Sequence, residues 1–134
     1  MSMNERSASL DVRSKVSTLW VLVLFNIVFA DVVGFMNPGA LEGIMSGAIG
    51  FEITQGLLLV FAILLEIPIA MIFLSRLLNR KANQWANTVA AIVTILFVIA
   101  GGSGYLSYVF FAAVEVALML LIVWYVWTWP KQEA

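Results

Sequence analysis

The chain has 134 residues, of which 63 % are hydrophobic and 11 % charged, with a net charge of −1; soluble domains average roughly 45–50 % and about 25 %. A mean hydropathy of +1.02 over so short a chain leaves too much apolar surface to hide from water, because small folds keep a large share of their surface wet. The absence of Cys and His removes disulfides, thiol chemistry, sulfur-ligated metals and the commonest general base, and the charge balance gives no case for nucleic acid.

Residues 1–15, "MSMNERSASLDVRSK", are polar and mixed in charge. The apolar stretch that follows is longer than a signal-peptide core and has no clear cleavage site, so it reads as a retained first transmembrane helix over about 16–36. It ends at Asn37-Pro38-Gly39, a stop and a turn. In "GALEGIMSGAIGFE", Leu41, Ile44, Met45, Ala48 and Ile49 recur at helical spacing, which predicts a short outer interfacial helix. It could serve as a cap over the bundle or as a lid over a ligand entrance.

A second span is expected over 55–78, a third over 85–100 and a fourth over 105–127, with "GGSG" at 101–104 as a tight turn. Each crosses about 30 Å of hydrocarbon, which takes about 20 helical residues, though the third is short unless the preceding "ANQ" is helical too. The fold class is therefore an all-α membrane protein, one domain over 1–134, arranged as a four-helix up-down bundle. All Lys and Arg fall before the first span, between the second and third, or after the fourth. The positive-inside rule then places both termini in the cytoplasm.

Asp31, Glu66 and Glu115 fall within the spans with no Lys or Arg at their depth. An acid at the centre of an inserted helix costs ~2.5–3.5 kcal/mol if it faces lipid, so all of them are expected to face inward. Burial favours the neutral carboxyl, so Glu66 and Glu115 are expected to be neutral or to share a proton. With Glu52, just outside the second span, the acids form a ladder from the outer surface to the midplane. The inward stripes are read as Asn26, Ala30 and Gly34 beside Asp31; Gln55, Ala62, Glu66 and Ala70; Asn87, Ala91, Thr94 and Val98; and Tyr108, Ala112, Glu115 and Met119. Pro68 removes the hydrogen bond that the Leu64 carbonyl would accept, leaving an acceptor expected beside Glu66.

The segment 64–87, "LLEIPIAMIFLSRLLNRKANQWAN", carries Glu66-x-Pro68, "LSR" and "NQWAN". It resembles a signature of a family of small four-helix bacterial membrane proteins of unknown function. In size and layout the chain is also similar to the DoxX-like group. The resemblance implies a four-helix fold and a bacterial inner membrane, and assigns no activity.

The expected function is binding or transport of a cation or small molecule in an outward-facing cavity. Proton exchange would run on the acids, and Asn26, Gln55, Asp31, Glu66, Tyr108 and Glu115 are the candidate ligand or proton sites. One alternative is an assembly subunit whose acids meet a basic partner. Another is an intramembrane isomerase acting on a lipid-like substrate with a carboxyl acid–base pair. The expected partners are the lipid bilayer, a small cationic or lipid-like ligand and further copies of the chain, with no nucleic acid, metal or cofactor. No Gly-rich loop with its lysine points to nucleotide chemistry.

Overall fold

A computed structural model describes residues 3–47, 53–102 and 104–130. The described residues form helices α1 (Met3–Phe35), α2 (Ala40–Ser46), α3 (Gln55–Leu77), α4 (Arg80–Ala100) and α5 (Leu106–Trp127). Four of them, all but α2, are long and apolar enough to cross a membrane, so the chain is a multi-pass membrane protein.

The ends of the elements follow from particular residues. Gly39 (φ 79°) and Gly47 (φ 76°) bracket α2 in the left-handed region that glycine enters without steric cost. The Thr54 hydroxyl caps α3 by accepting from the Leu57 amide at 3.1 Å, and the Asn79 side-chain Oδ1 caps α4 by accepting from the Ala82 amide at 2.9 Å. That cap starts α4 at Arg80, earlier than the expected 85, and lengthens it to 21 residues, enough to span. α1 also departs from expectation. Its 33 residues begin within the polar N-terminal stretch, because nothing before Gly34 breaks a helix and the Lys15–Asp11 pair at 2.9 Å supports the turn between them. At about 50 Å it outreaches the hydrocarbon layer.

Neighbours in sequence are neighbours in space. α1 packs against α3 and α5, and α4 against the same two helices, which closes an up-down ring. Arg13, Arg76, Arg80 and Lys81 all lie at one end of the ring, here called the basic end; α2 and the turn after α4 lie at the other, the loop end. Outside the ring, Phe29, Leu59, Ile92 and Phe110 are at least half exposed, a surface that calls for lipid.

The core sits toward the basic end. Val16, Trp20 and Val23 of α1 meet Met71 of α3, Ala90 and Ala91 of α4, and Met119, Ile122 and Val126 of α5. Among them runs a polar network. Asn87 accepts at Oδ1 from Trp20 Nε1 at 2.7 Å and from Ser75 Oγ at 3.3 Å. Its Nδ2 donates to the Asn83 carbonyl and side-chain oxygens. Asn83 in turn donates to the carbonyls of Ser75 and Leu78, closing the α3–α4 turn. Gln84 Nε2 donates to the Val126 carbonyl at 2.9 Å, and Ser17 Oγ donates to the Ile72 carbonyl at 2.7 Å. The Trp20–Asn87 bond crosses the diagonal of the ring, joining helices that are not neighbours. "NQWAN" is thus a structural signature, since its Asn83, Gln84 and Asn87 tie the helices together.

Candidate functional site: an acidic cavity at the loop end

Toward the loop end the core gives way to a cavity of about 760 Å³, within the range of sites that enclose small molecules. α1 contributes Ile27, Ala30 and Asp31; α3 contributes Leu57, Phe61, Leu64 and Leu65. From α4 come Val93, Leu96, Phe97 and Val98, with Gly101 and Gly102 beyond its end, and from α5 come Tyr108 and Glu115. The walls are apolar, and Phe61 and Phe97 meet across the α3–α4 seam with ring centroids 5.9 Å apart.

Each polar group here is placed by its helix. On α5 the stripe of Tyr108, Ala112, Glu115 and Met119 turns inward. Met119 is fully buried and Glu115 is 2 % exposed. Among the described residues no hydrogen bond reaches the Glu115 carboxyl. Asp31 lines the same cavity from α1, one residue after the buried Ala30, but is itself exposed rather than turned fully inward as expected. The Tyr108 hydroxyl donates to the Val98 carbonyl at 2.6 Å, holding α5 to the end of α4. The turn is tight there. A Cβ on Gly102 would stand 2.9 Å from the Ile99 carbonyl oxygen and 3.7 Å from Tyr108 Cε1.

Asp31, Tyr108 and Glu115 are thus brought together. Asn26 is not with them: it is half-buried and its Nδ2 donates to the Leu22 carbonyl at 2.8 Å, a bond within its own helix. Gln55 is exposed at the start of α3 and does not line the cavity. Glu66 departs most from expectation. It is exposed, as are Ala62 and Ala70 on its stripe. The buried side of α3 carries Pro68, Met71 and Ser75, and two residues of helix turn Glu66 about 200° from Pro68. The inward reading of Gln55, Ala62, Glu66 and Ala70 is therefore corrected to an outward one. The Leu64 carbonyl moves with the correction. Left without its donor by Pro68, it lies on the Leu64–Pro68 side of the helix, where Leu64 lines the cavity and Glu66 does not. Glu52, the top of the acid ladder, and Ala48 and Ile49 of the expected interfacial helix lie outside the described residues. No residue of α2 lines the cavity, which gives no support to α2 as its lid.

Sequence reasoning missed Phe61, Leu64, Phe97 and Gly102 as parts of the site. Only Gly102 left a signal, the "GGSG" turn that brings α4 and α5 together. Among the described residues no three acidic side chains converge as a metal cluster would require. No curated protein and no solved structure matches the chain. Residues 7–134 match the model of DUF6326, a family of unknown function, and the chain belongs to that family.

Proposed function

We propose that this membrane protein binds a small, largely apolar cation in the loop-end cavity and exchanges it for protons on Asp31 and Glu115. The observation that carries the reading is the one-sided chemistry of the lining. Its side chains include two carboxyls and no Lys or Arg, the Tyr108 proton is committed to Val98, and Pro68 leaves the Leu64 carbonyl without its usual donor. Such a site offers acceptors and negative charge inside apolar walls. A ligand that brings an ammonium group on an apolar body satisfies both. When it leaves, protons can neutralise the carboxyls at less cost than leaving two charges beside apolar walls, one of them buried.

The basic residues support an orientation with both termini in the cytoplasm, so that the cavity opens on the outer half of the membrane. The chain has no cysteine. A cysteine placed by Glu42→Cys should therefore react with a membrane-impermeant maleimide from outside, and reaction only after lysis would reverse the orientation.

The binding test uses purified protein and two ligands of one shape, phenethylammonium and the neutral propylbenzene. The cation should bind more tightly, with proton release in unbuffered solution. Glu115→Gln keeps the side-chain shape but cannot ionise; it should weaken cation binding by about tenfold or more and leave propylbenzene unaffected. Equal affinity for the two ligands in the wild type would sink the proposal.

A further inference from the structure

Glu66 stands at the midpoint of α3, on the outer surface of the bundle. A carboxyl held at that depth in hydrocarbon is unfavourable unless something covers it. The cavity acids offer no help, because they lie inside the ring.

The surroundings of Glu66 indicate what the cover is. Ala62 and Ala70 lie one turn to either side and are exposed. They form a shallow trough in an otherwise bulky surface, flanked by Ile63 (57 % exposed) and Phe73 (64 %). Small residues at such spacing let a second transmembrane helix come close, and a polar group between them can then bond across the contact. Alone this trough would say nothing about its occupant. The acid at its centre supplies the second constraint, and the charge layout supplies a third. The basic residues of the spanning region gather at one end of the bundle, so every copy takes the same orientation. Copies that share an orientation are related by an axis along the membrane normal, and each residue near that axis meets its own counterpart at its own depth. For Glu66 the counterpart is another Glu66.

We propose that α3 is a self-association face, on which two copies of this chain pack through Ala62 and Ala70 and join their Glu66 carboxyls by hydrogen bonds. With one proton in the pair, the protonated acid donates its O–H and the carboxylate accepts; with two, each acid donates to the other. No basic partner is needed in either state. The contact is self-complementary, and it removes both acids from lipid at once. It is independent of ligand binding in the cavity, so either proposal can fail without the other.

The native absence of cysteine makes the test direct. Ala62→Cys and Ala70→Cys, each oxidised in native membranes, should give disulfide-linked dimers. Leu120→Cys, on an exposed position of α5 (59 %), should not. With protein purified alone into nanodiscs, Glu66→Leu should self-associate roughly tenfold more weakly, since one membrane hydrogen bond is lost per side. Glu66→Gln should dimerise like the wild type, because paired amides can still bond to each other. The substitutions lie outside the core, so the bundle itself is not at risk. Cross-linking at Leu120→Cys equal to that at Ala62→Cys would overturn the proposal. So would wild-type association by Glu66→Leu. Loss of association in Glu66→Gln would overturn it too, because amides at that position keep both a donor and an acceptor for the contact.

Discussion

At the basic end, Asn87 is fully buried and both ends of its amide are engaged, by Trp20, Ser75 and Asn83. At the loop end, Glu115 is 2 % exposed, and among the described residues nothing bonds its carboxyl. The two side chains are similar in size and burial and opposite in company. A membrane interior admits polar groups as joints between helices when each donor finds an acceptor. Neutral amides and hydroxyls suffice for that work, and with the Trp20 indole they make up the network around Asn87. An acid left unpaired inside the same bundle holds nothing together. What it offers is an acceptor and an ionisable proton to something that enters.

If that contrast is right, substitutions at the two ends should differ in kind. The largest effect belongs to Asn87→Leu. It removes the acceptor of the Trp20 and Ser75 donors and leaves them buried, so it should lower stability by about 3 kcal/mol. Denaturation in mixed micelles, followed by circular dichroism, measures this. A loss under about 1 kcal/mol would mean that the network is incidental to the fold.

Gly102→Ala comes next. Its new Cβ would press on the Ile99 carbonyl, which is backbone and cannot swing aside, and on the Tyr108 ring. We expect a loss of about 2 kcal/mol, the usual range for overpacking, together with weaker phenethylammonium binding as Tyr108 is displaced. Unchanged binding would show that the turn does not shape the cavity. Tyr108→Phe should cost about 1 kcal/mol, the worth of one interhelical hydrogen bond in a membrane. Its melting curve should shift less than that of Asn87→Leu, since only one bond is lost and no second side-chain donor is orphaned.

Much of this arrangement is legible before any coordinates. The spans could be counted from apolar length, and the turns from Asn37-Pro38-Gly39 and "GGSG". The inward faces of α4 and α5 followed from helical spacing: Asn87, Ala91, Thr94 and Val98 are all buried, as are Glu115 and Met119. α3 could not be read that way. It is apolar nearly all round, so its periodicity marks no face. From sequence its direction follows only from the acid, on the rule that a carboxyl avoids lipid. The helix instead turns Pro68, Met71 and Ser75 inward, where Ser75 completes the Asn87 network and Met71 fills the core. Packing decided the face, and Glu66 was carried outward by it. The α4 start was misplaced for a local reason: the Asn79 cap reaches past a polar stretch that hydropathy alone ends at Trp85. The aromatic walls of the cavity could not be foreseen, because Phe61 and Phe97 are far apart in sequence and look like ordinary lipid-facing residues.

The smallest expected effect is the one that tests the contrast most directly. Glu115→Leu replaces a buried acid with an apolar side chain of similar length. Had Glu115 been a joint between helices, the change would orphan its partners and cost as much as Asn87→Leu does. Among the described residues it has none to orphan. The substitution also removes the cost of holding a carboxyl away from water, and the cavity beside it leaves room for the branched methyls. Replacing unpaired or poorly paired buried charge by apolar groups is often neutral or stabilising. We therefore expect a change within about 1 kcal/mol of wild type, on the stabilising side, while phenethylammonium binding is lost. Stability and binding would then separate at the loop end. At the basic end, by contrast, Asn87→Leu should lower stability without touching any group that lines the cavity. A destabilisation by Glu115→Leu as large as that by Asn87→Leu would make the acid a structural joint and erase the distinction between the two ends.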